Sequence, residues 1–211
     1  MNYKRFPLGA LWTNGYLFWD DKTHEAFFID PGGDTSDVKN FLIANNLKLT
    51  MILLTHGHID HIAGIHELVE LVGDNIYIGK NDAYRLRTPS QELQALLRVH
   101  CDGLENFKEV DEGRVIGFPG YAIRVIETPG HTEGSVCYLI QDSEGHKVLV
   151  SGDTLFAQSV GRTDLEGGDD IQLEASLRKL AELHDGLHVL PGHGPDTSIG
   201  EEREMNPYWP R

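Results

Sequence analysis

An α/β (α+β) fold is what this sequence predicts, on three observations. Apolar runs of strand length alternate with stretches of helical periodicity along the whole chain. The strand-rich stretches divide into two halves that each carry helices, which has the form of an internal duplication although no sequence repeat proves one. Four apolar runs also stop at a short turn whose next polar residue is His56, His131, Asp153 or His193. At 211 residues, 40% of them hydrophobic, the chain is expected to form one domain over residues 1–211, and no linker or low-complexity stretch interrupts it.

Three strands are expected first, Tyr3 to Leu8, Gly15 to Asp20 and Glu25 to Asp30, with turns at Asn14-Gly15 and Asp20-Asp21. Asp30-Pro31-Gly32-Gly33 stops the third, and Asp30 is either a turn residue bonding its own backbone or a support for the polar cluster downstream. Val38, Phe41 and Leu42 predict a helix from Thr35 to Asn45, followed by a buried strand from Leu49 to Leu54. Ile62, Ile65, Leu68 and Val69 predict a single helix from Ile62 to Val72, and a short strand follows at Asn75 to Gly79. Thr88-Pro89-Ser90-Gln91 reads as a capping box with proline at the first helical position. Further strands are expected at Phe107 to Val110, Val115 to Phe118, Tyr121 to Thr128, Ser135 to Ile140 and Lys147 to Val150. An amphipathic helix from Asp169 to Leu183, with Ile171, Leu173, Leu177, Leu180 and Leu183 on its apolar face, leads to a last strand at His188 to Leu190.

Chemistry concentrates in Thr55-His56-Gly57-His58-Ile59-Asp60-His61, which sets three imidazoles and a carboxylate within six residues after the apolar run Met51 to Leu54. In a helix His56 and Asp60 would share one face and His58 and His61 another; Gly57 disfavours a helix, so the cluster belongs on the loop at the strand's C-terminal end. A lone histidine there would be a solvated loop residue, whereas three with an aspartate at this spacing form a metal-ligand pattern. Glycine precedes three of the strand-end donors, at Gly130, Gly152 and Gly192, and permits the sharp turns that convergence of several strand ends requires. The full donor set is His56, His58, Asp60, His61, His131, Asp153 and His193. Seven donors are too many for one ion and divide between two: His56, His58 and His131 for the first, Asp60, His61 and His193 for the second, with Asp153 bridging ions about 3.5–4 Å apart. Zinc accepts such nitrogen and oxygen donors, with iron and manganese as alternatives.

Composition excludes other classes. The formal charge of -15 and pI near 5.0 disfavour nonspecific binding to nucleic acid or to anionic membranes, and two divalent cations would offset part of that acidity. No signal peptide is expected at the N-terminus, and no run of about 18 apolar residues marks a membrane span. Cys101 and Cys137 are expected to be reduced and buried, which makes the cytoplasm the default compartment.

With their flanking residues these motifs resemble the metallo-β-lactamase superfamily and, within it, glyoxalase II, the hydroxyacylglutathione hydrolases. The matching blocks are Thr-His-Gly-His-Ile-Asp-His at 55–61, Thr-Pro-Gly-His-Thr-Glu-Gly-Ser at 128–135, Ser-Gly-Asp-Thr-Leu-Phe at 151–156, Gly-Arg-Thr-Asp at 161–164 and Pro-Gly-His-Gly at 191–194. The resemblance implies a four-layer αβ/βα sandwich, two sheets face to face with helices outside and metals at one edge. It also implies a binuclear metallohydrolase acting on a small-molecule thioester of the S-acylglutathione type. On that expectation a hydroxide shared by the ions would attack the carbonyl, Asp60 would orient that nucleophile, and the thiolate would leave without a side-chain acid. Arg162 corresponds to a position where the family places a glutathione-binding cation; the competing account is a surface pair between Arg162 and Asp164.

Two departures narrow the expectation. The longer glyoxalase II enzymes carry a C-terminal helical domain with glutathione contacts, whereas this chain ends 18 residues after His193. Gly194-Pro195 also stands where a tyrosine often follows the last histidine ligand. The expectation is therefore the short branch, with thioester hydrolysis and an open thiol specificity. The alternative is a persulfide dioxygenase, which shares the Gly-Arg-Thr-Asp block and uses one iron held by two histidines and an aspartate. Those enzymes tend to carry Ala-His-Asp where this chain has Gly192-His193-Gly194, and lactonase or β-lactamase activity ranks after them. His24, His66, His100, His146, His184 and His188 lack ligand spacing, Cys137 reads as core, and the Pro207 to Pro210 tail is expected to dock on its own domain.

Overall fold

Aromatic and β-branched residues in the first thirty positions build an antiparallel meander, β1 (Asn2–Leu8), β2 (Thr13–Trp19) and β3 (Glu25–Ile29), with Phe6 opposite Gly15 and Tyr16 opposite Ile29. The chain then crosses through α1 (Ser36–Ala44) to β4 (Lys48–Leu53), and β5 (Ile76–Gly79) and β6 (Lys108–Val110) complete a six-stranded sheet whose last four strands are parallel. Val38 and Leu42, one helical turn apart, bury α1 against Phe6, Leu17, Phe28 and Ile52. Each such side chain withdrawn from water contributes about 1.5–3 kcal/mol. Since β3 and β4 are parallel, their C-terminal ends lie side by side, and the Asp30 N–H donates to the Leu53 carbonyl at 3.1 Å. That pairing delivers Asp30 to the loop carrying His56 and His58.

The computed structural model describes residues 1–210, grouped in two units, Met1–Val110 and the segment from Asp111 onward. In the second, β7 (Val115–Phe118), β8 (Tyr121–Glu127), β9 (Val136–Asp142) and β10 (Lys147–Gly152) form an antiparallel meander. β11 (Leu155–Phe156) and β12 (Ser159–Val160) make a separate small hairpin. β13 (His188–Pro191) pairs parallel to β10, and β14 (Thr197–Ser198) closes the sheet edge. α6 (Asp170–Leu180) buries Leu173, Leu177 and Leu180 against Ile126, Leu149, Val189 and Trp209. Strands β8 and β10 both run antiparallel to β9, and β13 follows β10, so these three end at one edge of the sheet. His131, Asp153 and His193 come just after those ends, and the Gly192 N–H donates to the Gly152 carbonyl at 2.8 Å.

Several expected elements are corrected. Asn14-Gly15 lies inside β2, and the first turn is formed by residues 9–12. The expected helix from Ile62 to Val72 is broken into α2 (Ile59–Ile62), a 3-10 turn (Ile65–Glu67) and α3 (Val69–Val72). Its ladder fails at Gly64, whose N–H is diverted to the Pro31 carbonyl at 2.7 Å. A helix not foreseen, α4 (Ala83–Arg87), precedes α5 (Gln91–Leu97), which is capped by Ser90 rather than Thr88, the Ser90 Oγ accepting the Leu93 N–H at 3.3 Å. Asp169 caps α6, accepting the N–H groups of Ile171 and Gln172, and Ile171 is 80% exposed instead of lying on the apolar face. α7 (Ile199–Met205) was likewise absent from the sequence reading. Both cysteines are free and buried, and burial pushes each thiol up to about 11. No helix among the described residues is long and apolar enough to cross a membrane.

Candidate metal centre

The seven predicted donors divide four and three: His56, His58, Asp60 and His61 in the first unit, His131, Asp153 and His193 in the second. In the first, the loop after β4 and the opening turn of α2 bring three imidazoles together. The His56 ring centroid lies 4.8 Å from that of His58 and 4.1 Å from that of His61. Asp60 Oδ2 stands 3.6 Å from His61 Nε2 and accepts the Thr13 hydroxyl at 3.2 Å. In the second, one oxygen, Asp153 Oδ2, lies 3.5 Å from His131 Nε2 and 3.5 Å from His193 Nε2. Phe156 sets its ring edge-on to His193, with centroids 6.0 Å apart.

Hydrogen bonds at the far side of the rings fix which nitrogen is basic. His131 Nδ1 lies 2.7 Å from the Arg162 carbonyl oxygen, an acceptor only, so Nδ1 donates and the neutral ring carries its lone pair at Nε2. His61 Nδ1 meets Asp30 Oδ2 at 2.9 Å with the same consequence. Thr55 donates its hydroxyl to Asp30 Oδ2 at 2.6 Å, so its lone pairs face His56 Nδ1 at 3.1 Å and that ring too is basic at Nε2. Asp30, almost fully buried, also accepts the Thr55 N–H at 2.8 Å. Of the two accounts of Asp30, its side-chain contacts favour support of the cluster. In the first unit His56 and His61, and in the second His131, are buried imidazoles with Nε2 lone pairs, and within each unit they accompany a carboxylate, donor types that suit zinc or iron.

Backbone packing holds the same side chains. Gly130 has φ +138°, and its bare Cα sits against α6, where an added Cβ would lie 2.4 Å from the Leu173 backbone. An added Cβ at Gly161 would lie 1.8 Å from the Asp153 carbonyl oxygen and 3.2 Å from His131 Cβ. Gly161→Ala is therefore expected to push the loop off Asp153 and His131, at a cost of about 2 kcal/mol in stability. Thermal unfolding and metal affinity measured together check this, and an unchanged pair would show that the loop yields freely.

Other contacts were not legible from the sequence. Thr13 on Asp60 carries no spacing signal, and neither does Asp82, which accepts the Gly57 N–H at 2.7 Å from full burial. Arg162 and Asp164 form a bidentate pair, Nε to Oδ1 at 2.6 Å and Nη2 to Oδ2 at 2.7 Å, both side chains more than half exposed. Arg162 holds the Asp164 carboxyl down at about 2. Among the remaining histidines, His66 is bound to the Asp102 carbonyl, His146 to Asp142 and His188 to Asp196.

Comparison with known proteins matches residues 9–193 to the Metallo-beta-lactamase superfamily. The solved structure of BLEG-1 B3 metallo-beta-lactamase is 34% identical, with a TM-score of 0.88 over 98% of this chain and 99% of that one. TTHA1623, solved in a di-iron-bound form, is 33% identical with a TM-score of 0.85, covering 97% and 99% of the two chains. Hydroxyacylglutathione hydrolase GloC of Haemophilus influenzae is 33% identical over 213 residues, spanning 99% of this chain and 98% of that protein. Because the superfamily match runs from residue 9 through the last of the seven donors, His193, the chain belongs to the metallo-beta-lactamase superfamily and is an α/β metallo-hydrolase of its fold.

Proposed function

We propose that the chain is a thioesterase acting on S-acylglutathione-like substrates, with residues 1–211 working as one domain. His56, His58 and His131 would hold one divalent cation and Asp60, His61 and His193 a second, with Asp153 a ligand common to both. Zinc is the proposed metal, and iron is the alternative because the similar TTHA1623 binds two irons. The observation that carries this reading is the single oxygen Asp153 Oδ2, equally distant from the Nε2 atoms of His131 and His193. A carboxylate oxygen set beside imidazole nitrogens from both proposed ligand groups suits a ligand common to two cations.

When bound, the two cations supply the acidity that yields hydroxide near pH 7 and the charge that polarises a carbonyl. The chain's own residues do the rest. Asp30, through Thr55 and His61, holds two imidazoles in register, and the Arg162 carbonyl holds a third. Asp60, steadied by Thr13, orients the attacking water. The Arg162 side chain binds the anionic end of the thiol half, and a thiolate departs without a protein acid. Two buried, reduced cysteines support a cytoplasmic location.

Incubation with S-lactoylglutathione tests the reaction class. Free thiol is expected to appear in step with substrate loss and with no oxygen consumed. Oxygen uptake on glutathione persulfide, with no thioester cleavage and a single iron per chain, would replace this reading with the dioxygenase one.

A further inference from the structure

Arg162 lines a cavity of about 600 Å³ whose apolar wall comes from Val160, Leu173, Leu177 and Tyr208. Its backbone is fixed on both sides. Gly161 is pressed against the Asp153 carbonyl, the Arg162 carbonyl is bound by His131, and the Thr163 hydroxyl is bound by Asp170. Only the long side chain remains free to wander, and Asp164 restrains it.

The pairing uses one edge of the guanidinium. Asp164 takes Nε and one N–H of Nη2, which leaves three N–H groups on the other edge, two on Nη1 and one on Nη2. No protein acceptor among the described residues occupies that second edge. A planar carboxylate matches such an edge bidentately. Ordering an exposed arginine costs rotamer entropy, and a guanidinium already held along one side loses less of it when a ligand arrives.

We propose that Asp164 is a positioning residue for substrate specificity: it presents the Nη1 edge of Arg162 to a carboxylate on the thiol half of the substrate. The preferred thiol carrier is therefore one ending in a carboxylate. This rests on the reading of Arg162 as the anion partner, and the experiment separates the two.

KM and kcat of the metal-loaded enzyme are measured for S-lactoylglutathione and for its diethyl ester, with Asp164→Ala, Asp164→Asn and Arg162→Ala. Asp164→Ala is expected to raise KM for the acid about tenfold, with kcat within about twofold and the ester unaffected. Asp164→Asn, which retains one acceptor oxygen, is expected to recover part of the loss. A lower KM in Asp164→Ala would make Asp164 a competitor of the substrate and overturn the proposal. So would an unchanged KM in that variant when Arg162→Ala raises it, which would leave the role of Arg162 standing. No change in either variant would overturn both. Titration calorimetry with glutathione gives the same comparison as dissociation constants if turnover is absent, and no binding by the unsubstituted enzyme also overturns both.

Discussion

Asp153→Ala is expected to release metal and lower kcat/KM by about a thousandfold or more, equivalent to roughly 4 kcal/mol of transition-state stabilisation. The Oδ2 atom lies 3.5 Å from two imidazole nitrogens on different strands' ends, so one truncation removes the oxygen shared by both. The neighbours that shape this position, Gly161 against its carbonyl and Gly152 before it, do not replace the lost charge. Metal content and turnover measured on one preparation check the result. Retention of both would mean that Asp153 is a bystander.

Asp30→Asn should lower metal affinity by about 10- to 100-fold, the usual cost of losing a partner behind a ligating histidine. Asp30 Oδ2 accepts from the Thr55 hydroxyl and from His61 Nδ1, while Oδ1 accepts the Thr55 N–H. Either orientation of the amide turns an NH2 toward at least one of these donors. Since the site is buried, each donor left without an acceptor also costs about 1–3 kcal/mol of stability. Excess metal is expected to restore most of the activity, because all seven donors remain. Equilibrium dialysis and chemical denaturation separate the two effects, and an unchanged affinity would reduce Asp30 to a turn residue.

Local features of this protein were legible where chemistry is written in neighbouring residues. The cluster at 55–61, the polar residues at the strand ends and an amphipathic helix, expected from Asp169 to Leu183 and found at Asp170–Leu180, all follow from spacing. The α/β class followed from the alternation of strands and helices, while the sandwich type came from resemblance and was then supported by the match to BLEG-1. What stayed hidden is non-local. Nothing near Gly64 announces that its N–H turns to Pro31, so the break between α2 and α3 was unreadable. The same holds for Thr13 on Asp60 and Asp82 on the Gly57 N–H, contacts that depend on where sheet and turn bring the chain back. Arg162 shows the limit differently: its pair with Asp164 is one of two accounts the sequence allows, yet only the coordinates show that the second edge of the guanidinium meets no acceptor among the described residues.

Under the proposed function, hydrolysis depends on two bound ions. Metal titration of the stripped protein, with turnover followed at each addition, tests it most directly. The account predicts activity that is absent without metal and saturates at two ions per chain. Full turnover from metal-free protein, or saturation at one ion, would contradict it.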